Sequence, residues 1–191
     1  MKTKMIKSTL ALVLALATLS FTTIKKEKKQ IKTTSSSIKW VGKKITGQHD
    51  GTINVQSGFL TFKGEKLVGG TVVVDMNSIV VGDLEGEYKA KLEGHLKADD
   101  FFGVANHATS KLVFTKVKGK KGNYKVTGDL TIKGITKPVN FDITIKGNKA
   151  TAKLKVDRTL YGIKYGSASF FDDLKNKAID NEFELTVSLS I

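Results

Sequence analysis

From Ile38 onward the chain alternates apolar and polar positions with a period of two. Ile38 and Trp40 flank Lys39, and Ile53 and Val55 are set among Thr52, Asn54 and Gln56. Tyr124, Val126, Leu130 and Ile132 alternate with Lys125, Thr127, Asp129 and Thr131. Three further runs repeat the pattern: Val139–Phe141–Ile143–Ile145, Ala150–Ala152–Leu154–Val156 and Phe183–Leu185–Val187–Leu189. Alternation at this period gives each strand one dry and one wet face. With the more continuous apolar run over 71–76 and a strand over 110–117 that carries Leu112 and Phe114, the count reaches about eight strands. Short polar connections between them predict an antiparallel barrel or sandwich. Near Gly58 the apolar phase slips to Leu60 and Phe62, the mark of a bulge or bend of the kind barrel closure requires.

Two segments depart from this rhythm. Over 82–102, Leu84, Tyr88, Leu92 and Leu96 recur at helical spacing, which predicts a short helix. Over 159–178 a long connection precedes the last strand and holds Tyr161, Tyr165, Phe170, Phe171 and Leu174. Long connections in compact domains are commonly lids or binding loops.

The start of the chain changes the picture of where the barrel begins. Lys2, Lys4 and Lys7 precede an apolar, small-residue run over 8–23, and charge returns at Lys25 and Lys26. This is the layout of a cleaved secretory signal over 1–23, too short for a spanning helix. Residues 24–36 are Lys-, Thr- and Ser-rich and read as a flexible lead-in. The barrel domain is expected over 37–191. With no Cys in the chain, the fold uses no disulfide and carries no lipidated Cys.

The chain has 191 residues and a formal charge of +14, of which three leader lysines supply +3 and the remainder +11. The lysines are scattered along the wet faces, and Arg occurs once, at Arg158. Arg is the side chain preferred for bidentate phosphate and base contacts, so nucleic acid is not the expected partner. Transient contact with an anionic membrane surface is left open, as is pairing with a second copy. A membrane-spanning barrel would need aromatic girdles, which are missing here.

Catalytic chemistry is not visible. His49, His95 and His107 stand at unrelated spacings, and the chain has no nucleophile elbow, phosphate loop or metal-ligand motif. No cofactor is expected. The adjacent acids Asp99-Asp100 and Asp172-Asp173 read as solvated loop or capping residues. Arg158 continues the apolar face of Ala152, Leu154 and Val156, so its charge needs a partner. Three readings are open: a structural ion pair at the barrel end, a strand that has already stopped, or a contact to a ligand headgroup at the mouth.

Several motifs then point in one direction. In order they are Ile38-Lys39-Trp40-Val41-Gly42, His49-Asp50-Gly51, Gly58-Phe59-Leu60, Val74-Asp75-Met76-Asn77-Ser78-Ile79 and Leu96-Lys97-Ala98-Asp99-Asp100-Phe101-Phe102. A second group runs from Gly128-Asp129-Leu130 through Gly134-Ile135-Thr136-Lys137-Pro138-Val139 to Val156-Asp157-Arg158 and Tyr161-Gly162-Ile163. In this order and spacing the chain resembles the YceI-like family of exported polyisoprenoid-binding proteins. The resemblance implies an all-β, eight-stranded antiparallel, lipocalin-like barrel with a short helical segment. It also implies a periplasmic location, an apolar tunnel for an isoprenoid lipid or isoprenoid quinone, and carriage or storage rather than catalysis. Two features depart from the family pattern: Asn106-His107-Ala108-Thr109 follows the Phe pair, and the usual leading strand is replaced by the Lys/Thr/Ser stretch.

On this reading the ligand lies against Trp40, Phe59, Val72, Val74, Phe101, Phe102, Phe114, Leu130, Phe141, Ile143, Ala152, Leu154, Phe183 and Leu185. The small inward residues Gly128, Ala150 and Ala152 would leave it space. Arg158, His49, Tyr161 and Tyr165 are the candidates for a headgroup contact. Two alternatives stand beside it. One is a structural or interaction protein with a filled barrel. The other is an enzyme acting on an isoprenoid lipid, which would need a titrating cluster on the lumen wall.

Overall fold

The structure, a computed structural model, describes residues 24–191. The leader expected over 1–23 lies outside the described residues. The strands are β1 (Lys26–Gln30), β2 (Ser37–Lys44), β3 (Gly47–Lys63), β4 (Lys66–Val81), β5 (Thr109–Lys120), β6 (Asn123–Ile132), β7 (Ile135–Lys146), β8 (Lys149–Asp157) and β9 (Ile179–Ser190). One helix, α1 (Gly86–Lys97), bridges β4 and β5.

Strands β2 to β9 close into an eight-stranded antiparallel barrel. Each pairs with its chain neighbour, and β2 pairs with β9 to shut the ring. Inward-facing residues alternate along every strand, as the period-two pattern predicts. The alternation is reset where the ladder slips. Ile53 and Val55 face inward at one end of β3, while Leu60 and Phe62 do so at the other, and the β3–β4 register shifts between Val55 and Ser57. A second shift spans Asp75 to Val80 of β4. There Ser78 Oγ accepts from the Asn54 N–H at 2.8 Å and donates to the Asp75 carbonyl at 2.6 Å. The side chain thus stands in for ladder partners that the bulge removes.

The 24–36 lead-in is ordered, contrary to the sequence expectation. β1 pairs with Phe59–Lys63 of β3, and Ile31 is buried against Gly58. The helical prediction is met by α1, except that Tyr88 faces solvent. Leu84 precedes the helix, and steps of four residues overshoot a full turn by about 40°, so the row Tyr88–Leu92–Leu96 winds around it.

Strand direction sorts the connections between two ends. The 44–47, 132–135 and 158–178 connections and the α1 segment gather at one end, called here the open end. The 63–66, 120–123 and 146–149 hairpins occupy the other, the packed end. Near the packed end the interior is filled: Phe114 and Phe141 meet edge to face at 5.5 Å, and Leu60, Leu67 and Val126 are fully buried. Gly128 leaves no room for a ligand. A Cβ there would lie 2.9 Å from Leu112, so this glycine permits close packing.

Two polar locks hold the open end. At the end of β8, Arg158 is 2 % exposed and donates to three main-chain carbonyls: Ile163 (2.8 Å), Ile179 (3.0 Å) and Asp180 (3.0 Å). It thereby staples the 158–178 loop to the start of β9. Gly162, at φ +76°, closes the turn that returns the chain to this clamp. At the β4–α1 junction, His49 Nδ1 lies 2.7 Å from Asp83 Oδ2, and the Asp50 N–H donates to Asp83 Oδ1 at 3.1 Å.

Replacing Arg158 with Met leaves three carbonyls without their donors. It is expected to cost about 3 kcal/mol, a fall in Tm of roughly 6–12 °C for a domain of this size by thermal denaturation. The second lock gives a pH dependence. Desolvation raises the Asp83 carboxyl, but the hydrogen bonds from His49 and the Asp50 N–H outweigh it, leaving it below the ordinary value. A group lowered in this way stabilises the fold above its unfolded value, and that stability is lost as pH falls through the folded one. Asp83→Asn is therefore expected to lower stability by about 1 kcal/mol at neutral pH. Urea titrations should show the gap from wild type narrowing steadily below about pH 4.

Candidate functional site

Between the packed half and the open end the barrel retains a cavity of about 140 Å³. Six of the eight barrel strands contribute to its wall. Ile38, Trp40 and Gly42 come from β2, Ile53 from β3, and Val74, Met76 and Ile79 from β4. Ser110, Leu130 and Ile132 complete the barrel side, with Phe183 and Leu185 of β9 opposite. Leu96, at the end of α1, closes one side with Phe101 and Phe102. These two rings stack edge to face at 5.1 Å, and Phe102 meets Phe183 at 6.2 Å. The wall is almost wholly apolar.

Polar groups touch the cavity at few points. Ser110 is buried and directs its hydroxyl to Met76 Sδ at 3.0 Å. Asp180 and Glu182, both exposed, mark where the cavity reaches the surface. They sit in the β2–β9 irregularity, where the register slips between Gly42 and Lys44. Arg158 also lines the wall, its guanidinium 5.7 Å from the Phe101 ring centroid. Burial lowers its pKa, while Asp157 and Asp180 act in the opposite sense. Its partners are carbonyls rather than a carboxylate, so the ion-pair reading of Arg158 is not what the structure shows.

Gly42 is the one small residue with free space beside it on this wall. It follows Ile38 and Trp40 on the inward face of β2, and a Cβ placed there meets nothing within 4 Å.

Of the residues singled out in the sequence, the cavity brings together Trp40, Val74, Phe101, Phe102, Leu130, Arg158, Phe183 and Leu185. Val72, Phe114, Phe141, Ile143, Ala152 and Leu154 belong instead to the packed interior. Phe59 stands on the outer face, with Lys28 Nζ 4.2 Å from its ring centroid. His49 is engaged with Asp83 away from the cavity wall. Tyr165 packs against His95 at 4.4 Å and is half exposed. Tyr161 is buried beside the clamp with its hydroxyl unpaired, and burial together with Asp157 pushes its phenol up. The wall residues Ile38, Ile53 and Ile132 were legible as inward positions and Ser110 shares the parity of Leu112 and Phe114, whereas the continuous run ending at Met76 and the isolated Ile79 gave no facing. Gly42, Asp180 and Glu182 carried no such signal.

Among the described residues no group of three or more His, Cys, Asp or Glu side chains is placed to hold a metal ion. None of the described helices is long and apolar enough to cross a membrane.

Comparison with known proteins agrees with this geometry. Among solved structures, Burkholderia cenocepacia BcnA superimposes with a TM-score of 0.66 at 19% identity, covering 84% of this chain and 99% of that one. A polyisoprenoid-binding domain from Saccharophagus degradans, implicated in plant cell wall breakdown, gives 0.61 at 15% identity, covering 86% of this chain and 97% of its own. At such identities the likeness is one of fold. A UPF0312 protein of Shewanella denitrificans is 36% identical over 90 residues, covering 47% of this chain and 45% of that protein. Protein YceI of Escherichia coli is 30% identical over 97 residues, covering 51% of this chain and 49% of that protein. The chain thus spans about half the length of these curated relatives. The YceI-like domain pattern, however, matches residues 29–191, which takes in the last two residues of β1 and the whole barrel. The closed antiparallel barrel and this match over most of its length place the chain in the YceI-like family.

Proposed function

We propose that the protein is a non-enzymatic binding module that takes an isoprenoid lipid or isoprenoid quinone into the cavity at the open end, and that it works in the periplasm. The observation that carries the reading is an apolar cavity left unfilled in an otherwise well-packed barrel. Burying apolar groups there is favourable by about 0.8 kcal/mol per methylene, or about 4 kcal/mol for a five-carbon isoprene unit. The description of the Saccharophagus degradans domain as polyisoprenoid-binding points the same way.

Geometry refines the reading. A lumen running the whole length of the barrel would suit a long chain, but the packed half is closed by Phe114 and Phe141. About 140 Å³ is close to the size of an engineered apolar cavity that accepts benzene. One end of the chain therefore enters first, and the remainder either extends past the mouth or displaces side chains of the packed half. Asp180 and Glu182 at the mouth repel an anionic head, which supports a neutral headgroup over a phosphate. The wall offers catalysis little: its buried charge, Arg158, is spent on carbonyls.

The test is native mass spectrometry of protein purified without detergent, followed by organic extraction. A stoichiometric isoprenoid or quinone is the expected result. A clean apo mass, unchanged after incubation with farnesol and with a short-chain ubiquinone, overturns the proposal. Gly42→Leu locates the site. Its side chain is expected to fill the cavity, cut ligand occupancy at least about tenfold and leave Tm level or higher, since both the void and a strand glycine are removed. Unchanged occupancy in this variant places the ligand elsewhere.

A further inference from the structure

Eight of the nine large apolar side chains exposed among the described residues lie at the open end, the exception being Ile24. Four are on the 158–178 loop: Leu160, Tyr165, Phe170 and Phe171, each between 46% and 53% exposed. Ile45 and Ile135 top the hairpins that flank it. The 63–66, 120–123 and 146–149 hairpins of the packed end consist only of Lys, Gly, Glu and Asn. One barrel thus has a polar end and an apolar end, and the cavity is beneath the apolar one. Soluble proteins keep such clusters where they meet a partner.

The Phe pair is held outward by a built support. Ser167 is completely buried, its Oγ donates to Asn181 Oδ1 at 2.6 Å, and its carbonyl accepts from the N–H groups of Phe170 and Phe171 at 3.0 and 3.1 Å. Asn181 Nδ2 in turn donates to Ser169 Oγ at 2.8 Å. The Arg158 clamp fixes the base of the same loop. A loop tied down at both places presents its aromatics at little entropic cost on binding. The surrounding charge is mixed but favours cations. Lys44 and Lys133 are on the flanking hairpins, and Lys164, Lys175 and Lys177 are within the loop, set against Asp172 and Asp173 in the loop and Asp180 and Glu182 at the mouth. Lys164 Nζ lies 4.6 Å from the Phe170 ring centroid. Exposed aromatics with lysines on the same loop and on the flanking hairpins match the boundary of a phospholipid bilayer.

We propose that the open end docks on a phospholipid membrane, with Phe170 and Phe171 entering the headgroup region. The inference deepens the binding-module reading and rests on it for its cargo: an isoprenoid dissolved in a bilayer would reach the cavity without crossing water. Docking itself is measured without cargo, by co-sedimentation with vesicles of phosphatidylcholine alone or mixed with phosphatidylglycerol. Wild type is expected to pellet with both, more strongly with the anionic vesicles, the excess falling as salt is raised. Phe170→Ser/Phe171→Ser is expected to lower partitioning at least about tenfold, because roughly 200 Å² of apolar surface is lost from the contact, while Tm stays near that of wild type. Lys175→Glu/Lys177→Glu, which keeps both aromatics and the Lys164 contact to Phe170, should remove the anionic preference alone. Gly42→Leu should pellet like wild type even when empty of ligand, so that a failed carrier reading and a failed docking reading look different.

The proposal is overturned if wild type pellets with neither vesicle or if the Phe variant pellets unchanged. Loss of pelleting in Gly42→Leu overturns it as well, since retention would then run through the cargo. A light-scattering mass of two copies that drops to one in the Phe variant, without vesicle binding, assigns the face to a second copy instead.

Discussion

Everything at the open end depends on how the two longest strands, β3 and β4, close against each other. They are 17 and 16 residues long, and each must present apolar residues inward along its whole length. A strictly regular strand would keep one parity throughout, which the sequence of β3 does not: its inward residues are odd-numbered to Val55 and even-numbered from Leu60. A bulge is the only way to keep both sets inside, and each bulge also bends and twists the strand. The irregularities between Val55 and Ser57 and around Asp75–Ser78 therefore do two jobs. They preserve the core and they set which side chains of β3 and β4 reach the cavity, among them Ile53, Val74, Met76 and Ile79.

The division of the interior follows from how completely neighbouring side chains occupy the space between them. Toward the packed end Phe114, Phe141, Tyr124 and Phe62 fill the ring, and Gly70 and Gly128 are needed because neighbouring side chains already occupy the space their Cβ would take. Toward the open end the wall mixes the aromatics Trp40, Phe101, Phe102 and Phe183 with Ile, Leu, Val, Met and Ser, and Gly42 faces empty space. An eight-stranded barrel is just wide enough for its side chains to fill. A few smaller residues on one side of the ring are then sufficient to leave a void. Removing apolar side chains from a close-packed interior costs stability in proportion to the void left, so retaining such a void among six strands is itself an indication of use.

Much of this was legible in the sequence. The period-two runs located the barrel strands, and the Gly58 phase slip located the first bulge. The 159–178 stretch stood out as the long connection. What escaped has a physical pattern. β1 has no apolar face, because it adds to β3 through its backbone and lays lysines over Phe59 and Phe62, so periodicity could not find it. The glycines were misread for a similar reason. Alternation reports which way a residue points, not whether its neighbours have taken the room. Gly128 and Gly42 are both inward, yet one is crowded by Leu112 and the other is open. Arg158 was correctly placed on the inner face, but a guanidinium satisfied by three carbonyls has no sequence signature, since its partners are backbone.

Arg158 links the two levels of the structure. Holding a guanidinium nearly free of solvent is costly unless its donors are met, and here they are met by the carbonyls of the loop and of β9 that would otherwise be orphaned as the chain leaves the barrel. The clamp sits on the cavity wall, against Phe101, and at the root of the loop that carries Phe170 and Phe171. Two separate requirements thus converge on one side chain: the wall must stay dry and shaped, and the rim must stay in place while exposing aromatic surface. A flexible loop of the same composition would fold its phenylalanines into the apolar cavity beneath them. Anchoring through main-chain carbonyls resists that collapse, because loop movement would strip a buried charge of its hydrogen bonds. The cavity can then remain open under an apolar rim.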